Sequence, residues 1–167
     1  QHPRVNILSP SCGVGGHCIA VDPWFIISQN PKNSSLIKTA RNVNNSKAFW
    51  VIEKIKDEAL EIYKNLNQPV KIGIFGLAYK PNVDDFRESP ALLIANKLLE
   101  LNQDLLICEP FAKDQFPFKL SSIKETEENS DILVFLVAHD YFLNIQTKKK
   151  IVDFCGVLDL KKNTSEK

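Results

Sequence analysis

The sequence contains no methionine, and its six glycines are unevenly spent: Gly13, Gly15 and Gly16 fall within four consecutive positions. It has no apolar run approaching the ~20 residues that a membrane-spanning helix needs. An excess of either charge is also missing, since 21 Lys and Arg stand against 20 Asp and Glu. That balance leaves no basic footprint for nucleic acid or for an anionic membrane surface, so neither is expected as a partner. The four cysteines, Cys12, Cys18, Cys108 and Cys155, are too sparse and too scattered for a disulfide framework. Cys12, His17 and Cys18 do not follow zinc-ligand spacing, so no metal is expected. What remains reads as a soluble globular chain, long enough for one full core plus an appendage. The start Gln1-His2-Pro3-Arg4 carries no signal-peptide pattern, so the cytoplasm is the default location. Together with the missing methionine, that start reads as a piece cut from a longer protein.

The glycines open the stretch around which the rest is organised, Gly13-Val14-Gly15-Gly16-His17-Cys18-Ile19-Ala20-Val21-Asp22-Pro23-Trp24. Something must come very close to that backbone. Glycine permits positive φ and leaves amides uncovered, so such a run can wrap an anionic or carbonyl oxygen. Cys18 follows at once, and Asp22 lies four residues on, a spacing that puts thiol and carboxylate on one face of a helical turn. That is a nucleophile-and-base arrangement; a tight turn with a buried cysteine is the plain alternative.

Residues 1–12 read as a short irregular segment in which Val5, Ile7 and Leu8 are extended, and His2 and Arg4 as exposed residues near the start. From Ser34 the pattern turns helical. Between Ser46 and Leu66 the residues Phe49, Ile52, Ile55, Ala59, Ile62 and Leu66 recur at three- and four-residue steps, with Leu60 and Tyr63 widening the stripe. Asn44-Asn45-Ser46 offers N-cap groups and Asn67-Gln68-Pro69 a stop. This helix would span ~30 Å, more than one small core needs, so part of its face is expected to pack on another domain or subunit, unless it is a core helix and nothing more.

After Pro69, apolar runs alternate with helical stretches: Val70 to Phe75, Ala91 to Leu101, Leu105 to Cys108, Ile132 to Val137, and a last strand near Ile151-Val152-Asp153. Such runs are strands buried on both faces, so the fold class is α/β: a long amphipathic helix followed by a Rossmann-like parallel sheet domain. Cys108 and Cys155 fall in strand-like runs, where cysteine acts as a small hydrophobe. The first strand ends in Gly73-Ile74-Phe75-Gly76, which lacks the third glycine of a dinucleotide fingerprint. A ligand is still expected beyond its carboxyl end, where Tyr79 offers a ring and Lys80 a charge that could equally be a solvated loop lysine. Ser89 is a plausible N-cap for the next helix, with Pro90 at its first position.

Residues 13–24 resemble the active-site loop of the UDP-sugar 6-dehydrogenases, in which G-x-G-G-x-C-x-x-x-D carries the catalytic cysteine; the wording is most similar to the branch acting on UDP-N-acetylmannosamine. Residues 76–91 are similar to the signature that opens the C-terminal domain of the same enzymes, G-L-A-[FY]-K-P-N-x-D-D-x-R-E-S-P-A. The resemblance runs from His2 to Gly156. It departs at Cys12, where glycine or proline is expected, and after Gly156, where Val157-Leu158-Asp159 stands in place of an expected arginine.

The resemblance implies oxidation of C6 of a UDP-hexose from alcohol to carboxylate with two molecules of NAD, in the service of polysaccharide precursor synthesis. It makes Cys18 the nucleophile that captures the aldehyde as a thiohemiacetal and then a thioester, and Asp22 the group that positions or deprotonates water. It also implies that His2, Arg4, Gly15, Tyr79 and Lys80 contact substrate, His2 and Arg4 across a dimer contact in related enzymes, and that Arg87 lies near the cofactor. NAD itself would be held by a preceding dinucleotide-binding domain, so this stretch alone should be silent as a dehydrogenase. The expected division is 1–33 for the cysteine segment, 34–68 for a helical dimerisation region, 69–160 for the UDP-sugar-binding domain and 161–167 for a polar tail. Two other readings stay open: a nucleotide-sugar-binding, dimerising module without turnover, and an unrelated α/β regulator with structural cysteines.

Overall fold

The computed structural model describes residues 9–112 and 116–158. In chain order these form α1 (Asp22–Gln29), α2 (Ser35–Leu66), β1 (Lys71–Phe75), α3 (Pro90–Glu100), β2 (Asp104–Cys108), α4 (Ile123–Asn129), β3 (Ile132–Phe135), a 3-10 turn at Asp140–Phe142, and β4 (Lys150–Asp153). The architecture is the expected one, a long helix followed by a parallel sheet flanked by helices.

The stripe of α2 is apolar at Ala48, Val51, Ile52, Ile55 and Ala59, and these are its buried positions besides Arg41. The helix ends where Asn67 turns left-handed (φ 51°) and its N–H returns to the Tyr63 carbonyl, a C-terminal cap for which asparagine is suited. Its start corrects the sequence reading. Asn44, Asn45 and Ser46 are not a cap but lie inside a single 32-residue helix, ~48 Å long at 1.5 Å per residue. Leu36, Val43, Phe49, Trp50, Leu60, Tyr63 and Leu66 remain exposed along it.

The sheet runs in the order β2-β1-β3-β4 with every pairing parallel. All four residues of β3 are buried, as are the four of β1 after Lys71, whereas the edge strands β2 and β4 are partly open. The pleat sends Ile72 and Ile74 to the face covered by α2 and α3, into a core with Val51, Ile55, Ile94 and Leu98. Full burial of each such side chain contributes about 1.5–3 kcal/mol. On the other face Phe75 stacks on Phe135 at 4.8 Å and meets Phe142 edge-on at 5.3 Å. Gly73 shares that face, and a β-carbon there would stand 2.5 Å from the Ser130 hydroxyl oxygen, so the segment closing α4 packs directly on the strand.

Ser89 caps α3 as its position suggests, accepting from the Leu92 N–H at 3.3 Å while donating to the Leu77 carbonyl at 2.6 Å. Because the chain passes from β1 outward to β2 and then returns to β3, the strand order reverses between β1 and β3. The crevice of a doubly wound sheet opens at such a point, beyond the carboxyl ends of the strands.

Candidate functional site

A cavity of about 540 Å³ lies at that crevice, lined by Ser9 to Ile19, Ala78 to Pro81, Pro90, Leu136 to Ala138 and Cys155. The two stretches singled out in the sequence are therefore brought together as its walls.

The first wall is the glycine–cysteine loop. Asn44, part way along α2, grips it from below: the Val14 N–H donates to Asn44 Oδ1 at 2.8 Å and Asn44 Nδ2 donates to the Val14 carbonyl at 3.2 Å. What comes close to these glycines is the chain's own second wall. A β-carbon on Gly15 would run into the Glu88 carbonyl and the Pro90 ring, and one on Gly16, at φ 90°, would stand 2.9 Å from the Tyr79 ring. The Gly16 N–H donates to the Arg87 carbonyl at 3.1 Å.

Beyond the glycines the chain makes a turn in which the Val21 and Asp22 N–H groups both donate to the Cys18 carbonyl, at 3.0 and 2.8 Å, and α1 starts at Asp22. Asp22 is thus one helical turn from Cys18, as the spacing suggests, and both residues are exposed. The glycines do not open a helix, so their amides form no helix terminus behind the thiol. Arg87 lies within electrostatic range of Cys18.

The remaining thiols are different. Burial pushes Cys12 and Cys108 up to about 12, and the Cys12 thiol donates to the Leu136 carbonyl at 3.5 Å. Cys108 ends β2 as expected, but Cys155 lies in the turn after β4 rather than in a strand, and it lines the cavity. Burial first and the neighbouring Asp153 carboxylate second raise its pKa.

The second wall, residues 76–89, carries Tyr79 half-buried and Lys80 exposed, with Lys80 Nζ 5.5 Å from the centre of the Tyr79 ring. Arg87 is clamped by Asp85, with Nη2 2.6 Å from Oδ2 and Nε 3.0 Å from Oδ1. Its hydrogen bonds hold the Asp85 carboxyl down at about 2 and hold the guanidinium above its ordinary value. Arg87 Nη2 also reaches His17 Nδ1 at 3.1 Å. The cation thus faces the cysteine wall and is tied to its side chain His17 as well as to its backbone.

Beneath this wall lies a buried pair that the sequence reading missed. Glu109, directly after β2, accepts from the Leu77 and Ala78 N–H groups at 2.7 and 3.1 Å and from the Phe111 N–H at 2.9 Å. Its Oε2 lies 3.1 Å from His139 Nε2. His139 Nδ1 takes the Asn82 N–H at 2.9 Å, an obligate donor, so the ring proton sits on Nε2 and points at Glu109. Burial opposes charge on Glu109, but the hydrogen bonds from His139 and Leu77 win and hold its carboxyl below the usual value. The signal available in sequence was an ionisable residue immediately after each of two apolar strand runs.

His2 and Arg4 lie outside the described residues. Among the described residues no group of three or more His, Cys, Asp or Glu is placed to hold a metal ion, and no helix is long and apolar enough to cross a membrane.

Residues 73–163 match the UDP binding domain, and residues 1–46 the central domain, of the UDP-glucose/GDP-mannose dehydrogenase family. The chain is 47% identical over 164 residues to the UDP-N-acetyl-D-mannosamine dehydrogenase of Campylobacter jejuni, covering 93% of this chain and 39% of that protein. Among solved structures it resembles the UDP-N-acetyl-mannosamine dehydrogenase of S. aureus, with a TM-score of 0.73 at 36% identity, over 93% of this chain and 38% of that one. It also resembles the corresponding dehydrogenase of Pyrococcus horikoshii, with a TM-score of 0.75 at 29% identity and the same coverage. The chain therefore spans about two fifths of the length of the relatives it matches.

Proposed function

Because the chain belongs to the UDP-glucose/GDP-mannose dehydrogenase family, we propose that it is the substrate-binding and cysteine-bearing part of a UDP-sugar 6-dehydrogenase, with UDP-N-acetylmannosamine as substrate and polysaccharide precursor synthesis as its purpose. The observation that carries this reading is the position of Cys18. Alone among the four cysteines it is exposed, and it lines a cavity at the strand-order reversal opposite Tyr79 and Lys80. Such a cavity suits an extended ligand: Tyr79 offers a ring and Lys80 a charge for the nucleotide diphosphate end, and Gly15, in the lining, is assigned to substrate contact on sequence grounds. His2 and Arg4 are assigned to substrate phosphate or sugar on sequence grounds.

In this reading Cys18 Sγ adds to the C6 carbonyl as a thiohemiacetal, which keeps the aldehyde from escaping; loss of a hydride to the oxidant would leave a thioester, and water would then cleave it to the acid and free the thiol. Asp22, one turn away, positions or deprotonates that water. Arg87, held by Asp85 and by the cysteine wall, is assigned to the cofactor side of the cavity. NAD supplies the oxidising power, but the described residues do not form its cradle, since β1 runs into Gly76 without a third glycine. Its binding is assigned to the part of the longer relatives that this chain does not span, so this chain alone should turn over no UDP-hexose.

The exposed apolar residues of α2 are assigned to a homodimer contact, and sedimentation of the chain at tens of micromolar checks it: a clean monomer would send that face to another domain. The central test is Cys18→Ser in the full-length enzyme. Acid formation should fall by at least ~10² to 10⁴, with UDP-sugar binding nearly unchanged because both walls are intact. Unchanged production of the uronic acid would end the thioester route.

A further inference from the structure

We propose that Glu109 and His139 are positioning residues: through Leu77, Ala78 and Asn82 they fix the backbone that presents Tyr79 and Lys80, and so set how tightly the cavity holds the diphosphate end of its ligand. The inference rests on the nucleotide-sugar reading of the cavity. Neither residue lines that cavity, and both side chains are fully buried. A buried carboxylate and imidazole are costly, and apolar residues of the same size would serve a core at least as well. Their place in the fold explains them better than stability does.

In a dinucleotide-binding sheet the acid beyond the second strand takes the ribose hydroxyl. Glu109 follows β2, yet its carboxylate already accepts from four donors, the N–H groups of Leu77, Ala78 and Phe111 and His139 Nε2. Oε2 takes three of these and Oε1 the fourth, and the side chain is fully buried, so the carboxylate is engaged inside the fold and not with a sugar. The acid has been turned inward, from reading a ligand to holding a loop.

His139 extends the hold to Asn82, which stands in the left-handed region (φ 59°) and whose Oδ1 accepts the Asp140 N–H at 3.0 Å. The segment after β3 and the loop after β1 thus grip each other at two hydrogen bonds. Tyr79 and Lys80 lie between two anchors, Leu77–Ala78 on one side and Asn82 on the other.

A pair of substitutions separates positioning from bulk. Asparagine carries an oxygen about where His139 Nδ1 stands, and glutamine an amide about where Nε2 stands. His139→Asn therefore keeps the acceptor for Asn82, whereas His139→Gln keeps the donor to Glu109 and releases Asn82. On the 167-residue chain, amide hydrogen exchange, thermal melting and calorimetric titration with uridine diphosphate are compared. His139→Gln should speed exchange at Asn82 and weaken uridine diphosphate by about tenfold, the scale of one lost buried hydrogen bond. His139→Asn should stay within about threefold of the parent in both.

Glu109→Gln must turn an NH₂ toward a donor and should loosen Leu77 and Ala78. Fast exchange at Asn82 in His139→Gln with unchanged affinity would overturn the proposal. So would equal losses of affinity in both His139 variants that track their melting temperatures. If the parent chain binds no uridine diphosphate, the nucleotide-sugar reading fails by itself. The exchange data would still decide whether the pair anchors the loop.

Discussion

The cysteine loop reaches its place by close approach, with Gly15 against the Glu88 carbonyl and Gly16 under the Tyr79 ring, and its chemical groups Cys18 and Asp22 stand in solvent. The loop from Gly76 to Ser89 reaches its place by buried acceptors, Glu109 and His139, with Tyr79 half-covered before any ligand arrives. One wall is specified by volume and the other by hydrogen-bond capacity. On the proposed reading, the side assigned to recognition is built in advance, while the side that carries Cys18 is left open to solvent.

If that contrast is right, the first wall should fail when an atom is added. Gly15→Ala has nowhere to put its methyl short of a backbone carbonyl, and should cost about 1–3 kcal/mol of stability, read as a melting point lower by several degrees. A variant that melts with the parent would mean the walls part easily, and the volume argument would fall.

Thiol labelling sharpens the same contrast. One equivalent of iodoacetamide at neutral pH should modify Cys18 before the others, because burial keeps Cys12 and Cys108 at about 12 and out of reach. Mass spectrometry showing Cys12 or Cys108 modified first would put the open side of the cavity in the wrong place.

The smallest effect concerns the seam between the walls. Arg87 holds Asp85 at about 2, below its unfolded value, so the pair's contribution is complete above the ordinary carboxylate range and lost only as pH falls toward about 2. Arg87→Ala should return the Asp85 carboxyl toward the ordinary range in an NMR titration, with little change in melting at neutral pH, because the pair is solvent-accessible. An Asp85 titration unmoved by the substitution would break the clamp.

The strands were legible because β1 and β3 are buried on both faces and read as unbroken apolar runs, and α3 because Ser89 and Pro90 mark its start. Helix α1 was not, since Trp24, Phe25 and Ile26 are exposed and only Ile27 is buried, leaving no stripe to count. The helical pattern from Ser34 was legible, but the cap was misplaced at Asn44-Asn45-Ser46: Arg41 is the one buried residue of the first turns of α2, so the apolar stripe begins only at Ala48. Cys18, Tyr79 and Lys80 were legible as candidates because they stand in two motifs, and the fold brings those motifs to the lining of one cavity. Glu109, His139 and Asn44 act on loops distant in sequence, and only the sheet order brings them there.

The grip of Asn44 on Val14 has a mechanical side. Asn44 lies ~14 Å along α2 from Ser35 and ~33 Å from Leu66, so the helix is a beam with unequal arms whose pivot side carries the cysteine loop. The short arm begins at Leu36, the most exposed of its large apolar residues at 81%. The core holds α2 from Ala48 to Ala59, so the turns before Ala48 are the part whose displacement would be passed through Asn44 to Val14, four residues from the thiol. If the outer face of α2 is an assembly contact, assembly and the placement of Cys18 share this one connection.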